Sequence, residues 1–219
     1  MKPIDITLGL SSSVASWPGD RPFNFRWTAR MEDGTSVNLS EICMSPHVGT
    51  HIDAPLHFLA DGMSVDQIPL EPLMGDCFVL DLGASPGSSS CIDVTELAAS
   101  KTEFSEDSPH RLLLNTHYQR HKPFNPEFRR PSLEAVHWLS EQGTILLGTD
   151  APSVDDYHST TMDVHRYCHR HHLTILENLD LTAVSQGWYQ LLALPLRIIG
   201  GEAAPARVIL IPHKNTEGS

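Results

Sequence analysis

The chain has 219 residues, a length that allows one large domain with a complete hydrophobic core. Its 15 basic and 27 acidic residues give a formal net charge of −12, which argues against a nucleic-acid partner because phosphate neutralisation needs clustered cations. No apolar stretch approaches the ~20 residues of a membrane-spanning helix, and the first residues lack the apolar core of a secretory signal. We therefore expect one cytoplasmic domain, residues 1–219, without a membrane partner.

Apolar runs bounded by Gly, Pro, Asp or Asn predict five strands, at 78–82, 111–115, 144–147, 189–194 and 207–211. Capping residues predict a short helix that begins after Asp93 and runs to Ala99. A second helix is expected at 132–142, with Leu133, Val136 and Leu139 on one side, and a third, polar helix at 163–172. The small-residue stretch 83–90 is typical of a surface loop. Strands interspersed with few helices indicate a single mixed α/β domain whose strand order stays open.

Histidine is concentrated in two places among the 13 in the chain: three lie at 47–57 and four at 165–172. The four cysteines lie far apart and form no CxxC pair, which is typical of free, mostly buried thiols. Clustered histidines suggest a metal site.

In the first cluster, His47, His51, Asp53 and His57 all occupy odd positions, while the even positions are mostly apolar. An extended chain would place these four side chains on one polar face, with a turn at or near Pro55. A helix would pair only the first two histidines and would have to contain a glycine and a proline. Two imidazoles and a carboxylate suit a divalent ion such as zinc, and three protein ligands leave a position for water.

The second cluster is less specific. On a helix, His165, Cys168, His169 and His172 follow i, i+3, i+4, i+7 spacing and could form a metal-binding face. Most of these histidines could equally be exposed to solvent.

Glu177 is the only acid in the apolar run 173–179. A buried carboxylate requires a partner, and a metal ion would provide one. The alternative is a buried salt bridge to Arg197 or Arg207.

The pattern His-x-Gly-Thr-His-x-Asp-x-Pro-x-His at 47–57 resembles the signature of the cyclase family of metal-dependent hydrolases. Within it, the chain is most similar to the kynurenine formamidases. The resemblance extends through Trp-Pro-Gly-Asp at 17–20, Gly-Thr-Asp-Ala-Pro-Ser-Val-Asp at 148–155, and the segments 175–179 and 193–196. It therefore covers nearly the whole chain. It implies a compact α/β domain with a mixed, barrel-like core flanked by helices, and a homo-oligomer, a dimer or higher, with sites near subunit contacts.

The resemblance also implies a metal centre, commonly of two zinc ions per subunit, although Mn, Co or Fe would suit the same ligands. It implies metal binding by His47, His51, Asp53, His165 and Glu177, with Asp53 bridging the two ions. His165 precedes Glu177 by the twelve residues that the family pattern requires, and His169 is the alternative. His57 would be the general acid/base. Trp17 would offer an aromatic face to the substrate; the alternative is that Trp17 has only a packing role.

The implied reaction is metal-dependent hydrolysis of an N-aryl formamide, N-formyl-L-kynurenine, to L-kynurenine and formate in tryptophan degradation. A cyclic amide such as isatin is the alternative small-molecule substrate. A non-catalytic, metal-stabilised module that binds a small ligand is a second alternative.

Overall fold

The computed structural model describes residues 2–83, 90–100, 109–120 and 123–213; most of the predicted loop, residues 84–89, lies outside them. The described residues form twelve strands: β1 (Ile4–Asp5), β2 (Asn24–Ala29), β3 (Leu39–Cys43), β4 (His51–Asp53), β5 (Met74–Asp81), β6 (Cys91–Ile92), β7 (Arg111–Asn115), β8 (Arg130–Pro131), β9 (Leu146–Thr149), β10 (Thr174–Glu177), β11 (Gly187–Pro195) and β12 (Ala203–Pro212). They also form three α-helices: α1 (Val94–Ala99), α2 (Leu133–Glu141) and α3 (Asp163–Arg170).

Seven strands close into a mixed barrel in the order β12-β11-β5-β7-β9-β10-β4, and β4 returns to pair with β12. The central strands β5, β7, β9 and β10 run parallel, whereas the remaining pairings are antiparallel. Along β12, Ala203 to Pro205 pair with β4, Ala206 to Pro212 with β11, and β1 pairs with Ile209 and Leu210. The expected α/β fold with a mixed, barrel-like core flanked by helices is confirmed.

Residue alternation along the barrel strands separates two hydrophobic cores. Leu113 packs inside the barrel, whereas its neighbours Leu112 and Leu114 pack outside it, against the helices. Gly148 keeps the interior close-packed, since a Cβ there would lie 2.4 Å from the Leu113 side chain. The barrel is thus a filled scaffold, and a binding site must lie at its end.

The predicted helices are present with small differences. The Asp93 carboxylate accepts from the Glu96 N–H, and the Ser132 hydroxyl accepts from the Ala135 N–H, so each N-terminus is capped as expected. The prediction for Leu133 is wrong: it is 39% exposed, and Ala135 takes its place in the core. The third helix ends two residues early, at Arg170.

The predicted strands also form, but four of the five have different bounds. β7 matches its prediction, and β11 and β12 extend beyond theirs. β5 begins before the predicted start and ends one residue early, at Asp81, and β9 is shifted two residues toward the C-terminus. These differences lie at strand ends, where neighbouring strands decide how far pairing continues.

The polar segment 47–57 forms a strand over only three residues, His51–Asp53, so the expected single extended face is wrong. Gly49 adopts a φ of 77°, which turns the chain between His47 and His51, and a 3-10 helix covers Pro55–His57. The break near Pro55 agrees with the sequence.

β2 and β3 form a two-stranded hairpin separate from the barrel. All residues of the two strands except Ala29 are exposed. None of the helices in the described ranges is long and apolar enough to span a membrane.

Candidate metal centre

The antiparallel register of β4 and β10 places Glu177 directly opposite His51, and Asp53 opposite Ile175. His51, Asp53 and Glu177 are all buried. The Nε2 atom of His51 lies 3.3 Å from Asp53 Oδ1 and 3.5 Å from Glu177 Oε2. Two sequence regions more than 120 residues apart thus supply one compact group of donor atoms.

Asp53 lies at the centre of this group, with its two carboxylate oxygens facing different histidines. Oδ1 lies 3.0 Å from His47 Nδ1, while Oδ2 lies 3.2 Å from His165 Nε2. His165 Nε2 also lies 3.5 Å from Glu177 Oε1. A carboxylate flanked on both sides in this way is suited to bridging two ions.

His165 is held in place by Asp155, a residue to which the sequence assigned no role. Asp155 accepts from the backbone N–H groups of Val164 and His165, which are unpaired at the start of α3 because Met162 supplies no side-chain cap. The same carboxylate lies 2.6 Å from His165 Nδ1. Asp155 therefore directs the other ring nitrogen, Nε2, toward Asp53 and Glu177. Carboxylates often orient metal-binding histidines in this way, through a hydrogen bond to the ring nitrogen that does not bind the metal.

The donor set fits a divalent cation. Two ligands about 2.0–2.2 Å from one ion at a tetrahedral angle lie roughly 3.3–3.6 Å apart, close to the separations of 3.0–3.5 Å found here. His51 Nε2 and Asp53 Oδ1 are buried, and no described contact to either has the geometry of a hydrogen bond, although His47 Nδ1 lies 3.0 Å from Asp53 Oδ1. Buried polar atoms are rarely left unpaired, so these two atoms fit a site for a divalent cation.

The electrostatics agree with this interpretation. Burial lowers the pKa of His51, but Asp53 and Glu177 outweigh it and raise that pKa to about 9. For His165 burial again opposes the charge, yet Asp155 and Asp53 raise the pKa well above its usual range. Both imidazoles hold a proton more tightly because the carboxylates create a strongly negative electrostatic potential. A bound metal ion would balance that negative charge in place of the protons.

His57 lies beside the buried group on the wall of the main cavity. Its ring centroid is 4.2 Å from that of His47 and 6.1 Å from that of His165. Burial is the main cause that lowers its pKa. One nitrogen of His57 lies within 4.8 Å of the donor atoms of His47 and Asp53, so the geometry accommodates both a proton-transfer and a metal-ligand role.

The cavity in front of these residues has a volume of about 710 Å³, within the ~300–1,000 Å³ typical of small-molecule sites. Trp17 lines it, and its ring lies 5.1 Å from those of Phe124 and Tyr157. Trp17 is therefore part of an aromatic wall that could contact a planar ring.

The structure distinguishes between alternatives that the sequence left open. His169 is half-buried at the side of Phe58, away from the donor group, whereas His165 reaches it. Burial raises the pKa of Cys168 to about 12, as expected for a core thiol. Arg207 pairs with Asp5 and no described arginine pairs with Glu177.

Three residues at the site have no role in the sequence-based prediction: Asp155, Phe124 and Arg120. Asp155 lies within a quoted motif, but its role depends on where α3 begins. Phe124 and Arg120 line the cavity from a segment without a hydrophobic period. Only the tertiary structure brings them to the site.

Comparison with known proteins agrees with this geometry. The chain is 40% identical over 206 residues to the kynurenine formamidase of Erythrobacter litoralis, covering 94% of this chain and 92% of the relative. It is 38% identical to the kynurenine formamidase of Salinibacter ruber, covering 96% and 97% of the two chains.

Solved structures share the fold. A potential metal-dependent hydrolase with cyclase activity superposes with a TM-score of 0.78 at 27% identity, covering 95% of this chain and 96% of that one. Isatin hydrolase A from Labrenzia aggregata gives a TM-score of 0.78 at 24% identity, covering 97% and 94%. The family model described as "Putative cyclase" matches residues 4–156. From this match and from its full-length relatives, the chain belongs to the cyclase family.

Proposed function

We propose that the chain is a metal-dependent hydrolase that cleaves N-formyl-L-kynurenine into L-kynurenine and formate. The observation that carries this proposal is the convergence of His47, His51, His165 and Glu177 on Asp53 beside the cavity, in a chain 40% identical to a kynurenine formamidase. The expected location is cytoplasmic, in tryptophan degradation.

The five residues would hold two divalent ions, most simply zinc, with Asp53 as the bridge. His and carboxylate ligands without cysteine are typical of open, catalytic zinc sites rather than closed structural ones. The chemistry that such ions supply when bound is polarisation of the formyl carbonyl and a lowered pKa of the attacking water. Asp155 fixes the His165 ring, and so fixes the geometry of that half of the site.

His57 is the residue placed to transfer protons. In the reaction the formyl C–N bond breaks, the oxygen of water leaves in formate, and the aryl amine nitrogen must gain a proton. An imidazole beside the metal ligands can accept a proton from water and deliver it to that nitrogen. Trp17, Phe124 and Tyr157 would contact the aryl ring.

The test is steady-state hydrolysis of N-formylkynurenine by the metal-loaded protein, with bound metal counted in each variant. We expect His57→Ala to lose about 10²–10⁴-fold in kcat while retaining metal, and Asp53→Ala to lose both metal and activity. His169→Ala is the matched control, because His169 lies on α3 with His165 but outside the donor group. This variant should keep both metal and activity. Metal loss in His57→Ala would make His57 a ligand, and another proton donor would then be needed.

The isatin hydrolase fold similarity motivates a second candidate substrate, a cyclic amide. Faster opening of isatin than of N-formylkynurenine would reverse the order of the two proposals. A metal-stabilised module without catalysis would instead unfold on mild chelation and hydrolyse neither amide.

We also propose a homodimer through the β2–β3 hairpin. Phe25 and Ile42 are register partners on one face, and Trp27 lies two residues along; all three are 42–62% exposed. An isolated two-stranded hairpin is marginally stable in water, and an exposed apolar face of this kind marks an interface. Ile42→Glu should convert a dimer to a monomer in light scattering, whereas Glu41→Gln, on the opposite face, should not; an unchanged mass in Ile42→Glu would refute this interface.

A further inference from the structure

Arg120 lines the cavity but belongs to neither group of metal-binding candidates. Its Nη2 donates to the carbonyl oxygens of Asp150 and Leu179, and its guanidinium lies 5.7 Å from the centroid of the Tyr118 ring. These contacts fix the direction of the side chain without supplying any negative charge.

No carboxylate forms an ion pair with Arg120 within the described ranges, although the charges of Asp150 and Asp180 lie near enough to offset part of the cost of its burial. Arg26, Arg30, Arg129, Arg130 and Arg207 each form an ion pair, whereas Arg120 forms none. Asp150 accepts a hydrogen bond from Arg120 only through its backbone carbonyl, because its carboxylate already accepts from Thr116 and Tyr118. The Nε atom of Arg120 is buried and has no hydrogen-bond partner among the described residues.

Nearby negative charge offsets only part of the desolvation cost of this partly buried guanidinium. Burial lowers its pKa, the direction expected when desolvation outweighs nearby negative charge. A buried charge without a partner is costly, so an anion entering the cavity would gain a charge-assisted interaction with a preoriented donor.

The position of Arg120 relative to Glu177 suits the distance between the formyl group and the α-carboxylate of the proposed substrate. Arg120 is anchored to the carbonyl of Leu179, two residues beyond Glu177, so the two backbone positions lie at most about 7 Å apart. In an amino acid that carries an N-formyl aryl group, the α-carboxylate lies several bonds from the formyl carbon. A formyl group at the metal ligands would therefore leave the carboxylate within reach of this wall.

We infer that Arg120 binds the α-carboxylate of the formamide substrate and thereby selects amino-acid formamides over neutral ones. The inference rests on the proposed function. Arg166 is the competing cation on the same cavity, but it is exposed and its Nε donates to the Thr161 carbonyl. Solvent screens an exposed charge, which makes Arg166 the weaker anchor.

The experiment compares two substrates that differ only in the amino-acid part: N-formylkynurenine and the neutral 2-formamidoacetophenone. Wild type, Arg120→Gln, Arg120→Lys and Arg166→Gln are assayed on both. We expect Arg120→Gln to raise KM for N-formylkynurenine about 10- to 100-fold and to leave kcat/KM for the neutral amide within about twofold. Arg120→Lys should recover part of the loss, since the charge is kept but the planar donor geometry is not.

Equal losses on both substrates would overturn the inference, because they would show that Arg120 only holds the segments around Asp150 and Leu179. A substrate-selective loss in Arg166→Gln would overturn it too. Calorimetric binding of kynurenine against 2-aminoacetophenone provides a readout independent of turnover. If wild-type protein hydrolyses neither amide, the proposed function fails; weaker kynurenine binding in Arg120→Gln alone would still support the anion site, and unchanged binding would refute it.

Discussion

Replacing Asp155 by asparagine tests whether the site depends on a residue that never touches the metal. Asp155 accepts three hydrogen bonds, from Val164 N–H at 3.1 Å, His165 N–H at 3.0 Å and His165 Nδ1 at 2.6 Å. An amide has one acceptor oxygen, so at least one of these buried donors would face an NH₂ group.

The size of the effect follows from this count. A buried N–H left unpaired costs about 1–3 kcal/mol, and exchanging a charged for a neutral acceptor at His165 removes roughly 1 kcal/mol more. We therefore expect the metal-free variant to lose about 2–4 kcal/mol of unfolding free energy. Without a fixed ring at His165, metal affinity should fall about 10- to 100-fold.

The stability difference should also depend on pH. Burial raises the pKa of Asp155, but the hydrogen bonds from His165 and Val164 outweigh it, so the pKa is below the usual value. A carboxyl group with a lowered folded-state pKa stabilises the protein fully above its unfolded pKa of about 3.9. The gap between wild type and Asp155→Asn should therefore be complete near neutral pH and shrink as the pH falls through the lower folded value.

The assay combines urea unfolding of the metal-free protein with competitive metal titration against a chelator. Asp156→Asn is the matched control: its carboxylate pairs with Arg130 at 2.6 Å and is 45% exposed, so we expect a change of only about 0–1 kcal/mol. Wild-type metal affinity in Asp155→Asn, or equal effects of the two substitutions, would refute the role assigned to Asp155.

Three further predictions concern the scaffold. Gly62→Ala should lower both stability, by about 1–3 kcal/mol, and kcat, because a Cβ there would lie 2.3 Å from the Pro55 backbone and displace the short helix that carries His57; wild-type kinetics and melting would contradict this. Cys77 and Cys168 should resist alkylation of the folded protein at pH 8, since burial raises each thiol pKa to about 12, and mass spectrometry that finds either one labelled before unfolding would contradict their burial. Ser132→Ala should cost about 1 kcal/mol by removing the cap of α2, as measured by thermal unfolding, while an unchanged melting temperature would show that the cap is dispensable.

The sequence predicts the residues of the site better than the path of its backbone. Alternation at 47–57 singles out four polar side chains that the structure brings close together, yet only His51–Asp53 form a strand. Gly49 takes a left-handed conformation and Pro55 begins a 3-10 helix, so loops rather than a strand bring His47 and His57 to Asp53. Sequence periodicity predicts which side chains share one face of a helix or strand. It does not predict which side chains from different loops come together in space.

Other features depend on contacts between distant segments. Glu177 stands out as one acid in an apolar run, and the structure places it opposite His51. Asp155 and Arg120 carry no comparable signal. The role of Asp155 depends on the start of α3, and that of Arg120 on the lack of an ion pair or a partner for its buried Nε among the described residues. A missing partner is a three-dimensional property that no local pattern reveals.

The closure of the barrel at β12 has a consequence for biosynthesis. β4, which carries His51 and Asp53, pairs only with β10 and β12 among the described strands, and these lie more than 120 residues later. During translation this short segment has no sheet partner until the ribosome has made residues 174–205, and contacts of such long sequence separation form slowly. The histidines of this segment would therefore stay outside the sheet until late in synthesis, and a metal ion held by them would bind only in the last steps of folding.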